Sequence, residues 1–232
     1  MAQLRTLQTA LFVEGLNLTD KLSLTAEIIR ASNQTYSSDP VLLPMPQDAP
    51  PEIPRIILRS VDSQCVCNVA LNRVDLFFNA KEAMLQLENV PQIPHGHLQV
   101  AVTNLLRERF GARVARVGIV SNLVVEVREI PTIFLEKHYL KETAHISDTY
   151  ELQLHALNRI MLDRYKIEMN RWIRLSASRS QEGGGPQVLD VALDVNTLPT
   201  HRHDLDGEKL RFIFSEVLDS MSSLLKEHFN GS

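Results

Sequence analysis

Residues 112–128 alternate with a period of two. Ala115, Val117, Ile119, Leu123, Val125 and Val127 share one face, broken at Ser121, and Arg116, Asn122, Glu126 and Arg128 lie on the other. Such alternation predicts a long strand that covers a core with one face and meets water or a partner with the other. Residues 6–13 predict a further strand. Three short ones at 55–60, 65–71 and 74–79 are separated by turn-forming residues at Asp62-Ser63 and Asn72-Arg73. In 149–162 Tyr150, Leu152, Leu154, Ala156, Ile160 and Leu162 share a face that Asn158 interrupts. Its antiparallel partner, 166–178, carries Ile167, Met169, Ile173, Leu175 and Ala177 on one face, with Arg171 as the exception. Residues 188–195 make another strand after the 179–186 segment, which reads as a flexible glycine-rich loop.

Helical spacing appears elsewhere. Thr19 or Asp20 can cap a helix running to about residue 31 through Leu24 and Ile28. Leu98, Val102, Leu105 and Leu106 predict a helix over 97–110 that Gly111 ends, and Pro131 suits the first turn of the next. A short helix is expected at 81–87. Leu210, Ile213, Val217, Met221 and Leu224 form the stripe of a long closing helix over 205–229, too apolar to stand alone.

The order strand, helix, three strands, helix therefore occurs twice, over 1–111 and 112–232. This predicts a duplicated α+β fold whose antiparallel sheet is covered on one face by helices. Residues 32–54, with six prolines, read as an extended strap pinned by Val41, Leu42, Leu43 and Met45. If one sheet runs through both halves, its uncovered face carries His155, Arg159, Asn170, Trp172 and Arg174.

Composition narrows the function classes. With 232 residues and 44% hydrophobic positions the chain can bury a substantial core, and a net charge of −4 argues against a polyanion binder relying on overall charge. Nucleic acid is an unfavoured partner. No segment has the apolar length of a membrane span and residues 1–10 lack a signal-like core, so a cytoplasmic protein is expected. Cys65 and Cys67, two apart on a strand, read as buried small side chains in a reducing compartment.

Candidate chemistry is sparse. An H-x-H pair on an extended segment can place two imidazoles on one metal, which makes His201, His203 and Asp204 the sharpest metal candidate. Asp204 or Asp206 can equally cap the closing helix. Gly183-Gly184-Gly185-Pro186 lacks the Lys-Ser/Thr of a phosphate loop, and Ser223 to Lys226 fits S-x-x-K by letter alone. No catalytic constellation and no cofactor is implied. Trp172 with Arg159 and Arg174 can stack and pair with a base, a phosphate or a carboxylate.

Arg116-Val117-Gly118-Ile119 followed by Asn122 resembles the R-I-G-L-x-x-N segment of a sporadically distributed bacterial family of uncharacterised proteins of similar length. Arg59-Ser60-Val61-Asp62, Leu193-Asp194-Val195-Asn196-Thr197 and the closing helix support it in the right order. The resemblance implies no activity, cofactor or site residue. The expectation at this point is a non-catalytic interaction or regulatory protein that binds another protein through the open sheet face. The alternatives are a small apolar ligand in a cavity between the closing helix and the sheet, and nucleic acid on the sheet face. Gly118, inside a strand, predicts a bulge or a close backbone approach.

Overall fold

The computed structural model describes residues 2–46, 48–80, 85–86, 94–140, 150–178 and 187–229. In chain order the elements are β1 (Ala2–Glu14), α1 (Lys21–Ala31), β2 (Val41–Leu42), β3 (Ile56–Arg59), β4 (Cys65–Val69), β5 (Arg73–Asn79), β6 (Leu85–Gln86) and α2 (His95–Phe110). There follow β7 (Arg113–Glu126), α3 (Pro131–Tyr139), β8 (Glu151–Leu162), β9 (Ile167–Ser178), β10 (Val188–Thr197) and α4 (Gly207–Phe229). The fold is α+β. One antiparallel 10-stranded sheet has the order β2-β3-β4-β5-β1-β7-β10-β9-β8, and β6 pairs with β1.

The sheet is continuous because β1 and β7 are long and apolar on the same side. They pair antiparallel from Ala2↔Val125 to Glu14↔Arg113, with irregularities between Leu4 and Thr6 and between Phe12 and Val13. Leu7, Leu11, Val117, Ile119 and Leu123 are buried beneath this seam. The inner sides of the two meanders, β3-β4-β5 and β8-β9-β10, extend one core to either side, and the apolar stripes of the helices close it. The second half runs strand, helix, three strands, helix, whereas the first half has the two-residue strands β2 and β6 in addition. The recurrence is one of order, with strands of four to seven residues in the first meander and ten to twelve in the second.

Local chemistry sets the ends. Asp20 accepts the Ser23 N–H at 2.9 Å and starts α1, and Gly111, at φ 61, ends α2 in the left-handed conformation that glycine adopts without steric cost. Pro131 opens α3. The Pro-rich strap is held to the rest of the chain: β2 pairs with β3, and Lys21 Nζ donates to the Leu43 carbonyl at 3.0 Å.

Two expectations are corrected. Leu85–Gln86 is extended and pairs with Leu4 and Gln3, because an open edge of β1 takes it up; the rest of the expected 81–87 helix and the 179–186 loop lie outside the described residues. Gly118 sits in regular pairing opposite Ala10 and Asn196, and an added Cβ would lie 3.5 Å from the Asn196 Cβ, an ordinary contact.

Candidate functional site

The register of the β8-β9 hairpin explains the two residues that break its apolar inner face. Asn158 lies directly across from Arg171, so both interruptions form one polar pair on the side the helices cover. Arg171 Nε is buried with no hydrogen-bond partner, and no ion pair of Arg171 occurs among the described residues. A buried guanidinium donor left unpaired costs free energy that a ligand acceptor would recover.

Space for such a ligand is present. A cavity of about 210 Å³ lies between α4 and the hairpin, with Asn158, Arg171, Ser220 and Ser223 as its polar lining. It adjoins a second, of about 270 Å³, whose walls include Leu154, Ala156, Leu175 and Tyr139; Asn158, Ile173 and Leu224 line both. The cleft opens at the edge strand β8, where Ala156 and Asn158 are exposed while their partners in register, Ile173 and Arg171, are half-buried. The result is an apolar groove with a cationic, hydrogen-bonding end. The sequence showed Asn158 and Arg171 as breaks in two patterns; their being one site depended on the hairpin register.

The face away from the helices carries the residues anticipated there. His155 pairs with Arg174, Arg159 with Asn170 and Leu157 with Trp172, all turned to the same side. Near the hairpin its charges pair within the sheet. Arg174 donates to Asp194 at 3.2 Å and stands 5.8 Å from the Trp172 ring centroid; Arg159 meets Glu168 at 3.5 Å and Arg5 meets Asp190 at 2.8 Å. Asp190 and Asp194 of β10 are thus ion-paired.

The His201, His203 and Asp204 segment follows β10 and runs beside β7, with the His203 N–H donating to the Ala115 carbonyl at 2.9 Å. The two imidazole centroids stand 6.3 Å apart, while the Asp204 carboxylate is hydrogen-bonded to Arg107 and held below the usual carboxylate range by that bond. Burial pushes His203 below its ordinary value, with the charges of His201 and Lys209 adding to the effect. Asp206, not Asp204, accepts the Lys209 N–H at 2.9 Å and caps α4. Among the described residues no group of three His, Cys, Asp or Glu side chains gathers as a metal site. Cys65 and Cys67 are free and buried. No described helix is long and apolar enough to cross a membrane.

The expected protein-binding role of the open face is corrected. Arg159 and Arg174, the cations expected to meet a partner there, are ion-paired within the sheet with Glu168 and Asp194. No family model matches the chain, and neither does any curated protein. A solved structure that does match is titled as the rolling circle replication initiator protein from Geobacillus stearothermophilus, at 7% identity and a TM-score of 0.31, over 98% of this chain and 84% of that one. At this score the likeness transfers neither function nor site residues to the chain.

Proposed function

We propose that the protein binds a small amphipathic ligand in the cleft between α4 and the β8-β9 hairpin, with an acidic headgroup at Arg171 and an apolar body along Leu154, Ile173 and Leu175. One observation carries this reading: the buried, unpaired Arg171 Nε beside Asn158 at the end of an apolar groove. A planar guanidinium matches a carboxylate or sulfonate through paired N–H donors, and removal from water strengthens the contact. The two adjoining spaces together fall within the roughly 300–1,000 Å³ of ordinary small-ligand sites.

Anilinonaphthalene sulfonate, an apolar ring system with one anionic group, tests the reading by fluorescence titration. Saturable binding competed by decanoate, and weakened roughly tenfold or more in Arg171→Met, is the expected result. Binding unchanged in that variant, with its circular dichroism and thermal midpoint intact, would remove the headgroup role.

As further proposals, we place the chain with the uncharacterised bacterial family whose R-I-G-L-x-x-N segment residues 116–122 resemble. We assign it to a reducing, cytoplasmic setting, supported by two unpaired cysteines. The units 1–111 and 112–232 are read as two halves of one sheet.

A further inference from the structure

Arg73, Phe12 and Arg116 lie in one cross-strand row on the face opposite the cleft, since Phe12 pairs with Arg73 of β5 and with Arg116 of β7. Both guanidiniums sit against the Phe12 ring, with their central carbons 5.4 Å and 4.6 Å from its centroid. Arg73 also has a carboxylate, Asp75, at 2.6 Å. Arg116 has no ion pair among the described residues, and its Nε is buried without a hydrogen-bond partner.

The surroundings add to the imbalance. Glu14 is already divided between Arg113 and, at 3.1 Å, Arg202. Asp204, a further carboxylate nearby, is taken by Arg107. Arg116 is partly withdrawn from water, which weakens its hold on its proton, and the positive charge of Arg202 adds to the effect. An aromatic ring attracts a cation but supplies no acceptor for its N–H groups. An oxyanion would satisfy the donors and relieve the repulsion together.

We infer that Arg116, stacked on Phe12, forms a binding site for a phosphate group, to which Arg202, held on Glu14 two residues from Phe12 along β1, adds its charge. Phosphate fits because the guanidinium fork bonds two of its oxygens at once and its charge answers two cations. The inference does not rest on the cleft, from which the sheet separates it. The phosphate is either that of a small monoester or that of a nucleic-acid strand, and these sources are separable by experiment.

Thermal unfolding and isothermal titration are to be run with inorganic phosphate, adenosine monophosphate and a short single-stranded oligothymidine, against chloride at matched ionic strength. The expected result is a raised midpoint and saturable binding, weakened roughly tenfold or more in Arg116→Gln and less in Arg202→Gln. Equal responses to phosphate and to the monophosphate identify a small ligand. A stronger, salt-steep response to the oligonucleotide identifies a strand. Either supports the site. No response to any of the three, or responses kept in Arg116→Gln, would overturn it. Should Arg116→Gln fail to fold, undiminished binding in Arg202→Gln would overturn it equally.

Discussion

Lowering the pH from 7 to 5 is expected to weaken this fold chiefly through one side chain, His95. It opens α2, is fully buried, and its Nε2 lies 2.9 Å from Thr9 Oγ1. Thr9 Oγ1 donates its single proton to Gln99 Oε1 at 3.2 Å, so its oxygen accepts from His95 Nε2–H. That bond sets the tautomer. Nδ1 is buried and has no hydrogen-bond partner among the described residues, and a proton placed there would be a charge in a dry core. Burial accordingly pushes the imidazole from 6.5 down to about 3.

The sign follows from which state holds the proton. Between pH 6.5 and 3 the unfolded chain carries a proton on His95 that the folded chain does not, so stability falls as pH falls, by about 1.4 kcal/mol per unit. From pH 7 to pH 5 the loss is about 2 kcal/mol. Glu14 and Asp204, held low by their bonds to Arg113 and Arg107, add losses only nearer their ordinary values of 4.5 and 3.8. His203 acts in the same direction and window, but is only partly buried. Urea unfolding at pH 7, 6 and 5, with the denaturant slope unchanged, measures the effect. His95→Gln, which can keep the bond to Thr9, should flatten this limb, and His203→Gln should leave most of it. An equal loss in wild type and His95→Gln would refute the reasoning.

Tyr36 is fully buried and its hydroxyl has no hydrogen-bond partner among the described residues, so Tyr36→Phe removes an unsatisfied group at little cost in packing. Its denaturant midpoint is expected to match or exceed wild type, by up to about 1 kcal/mol, and a clear loss would reveal a partner for that oxygen. Burial pushes the Cys65 thiol up to about 11 and Cys67 higher still. Both should resist a thiol reagent at pH 8 in the native protein and react together once it unfolds; rapid labelling of the folded chain would contradict their burial.

Much of this fold is legible in the sequence because each long element carries its own period. The alternation through Val117, Ile119, Leu123 and Val125 identifies β7 without any tertiary information, and the Leu210 to Leu225 stripe does the same for α4. Short segments are less clear. Leu85–Gln86 is extended because β1 offers it an edge, a cause that lies about eighty residues away along the chain. Strand irregularities also escaped, since they fall beside Arg5 and Ala115 and not at Gly118. Site residues depend most on register. Asn158 and Arg171 stand out singly as defects in apolar patterns, and only their alignment across a hairpin makes them a pair. Arg116 is likewise legible as an outward residue, whereas its want of a carboxylate depends on where Glu14 and Asp75 find their partners.

The central seam also has a consequence for synthesis. β5 can cover one edge of β1 as soon as residue 79 is available, but the other edge waits for β7, more than a hundred residues downstream. Until the ribosome has delivered β7, the first half presents an unpaired, apolar strand edge of the kind that recruits a second chain. A nascent chain stalled near residue 111 is therefore the form of this protein most in need of a chaperone, and release of residues 113–126 is the event that ends the exposure.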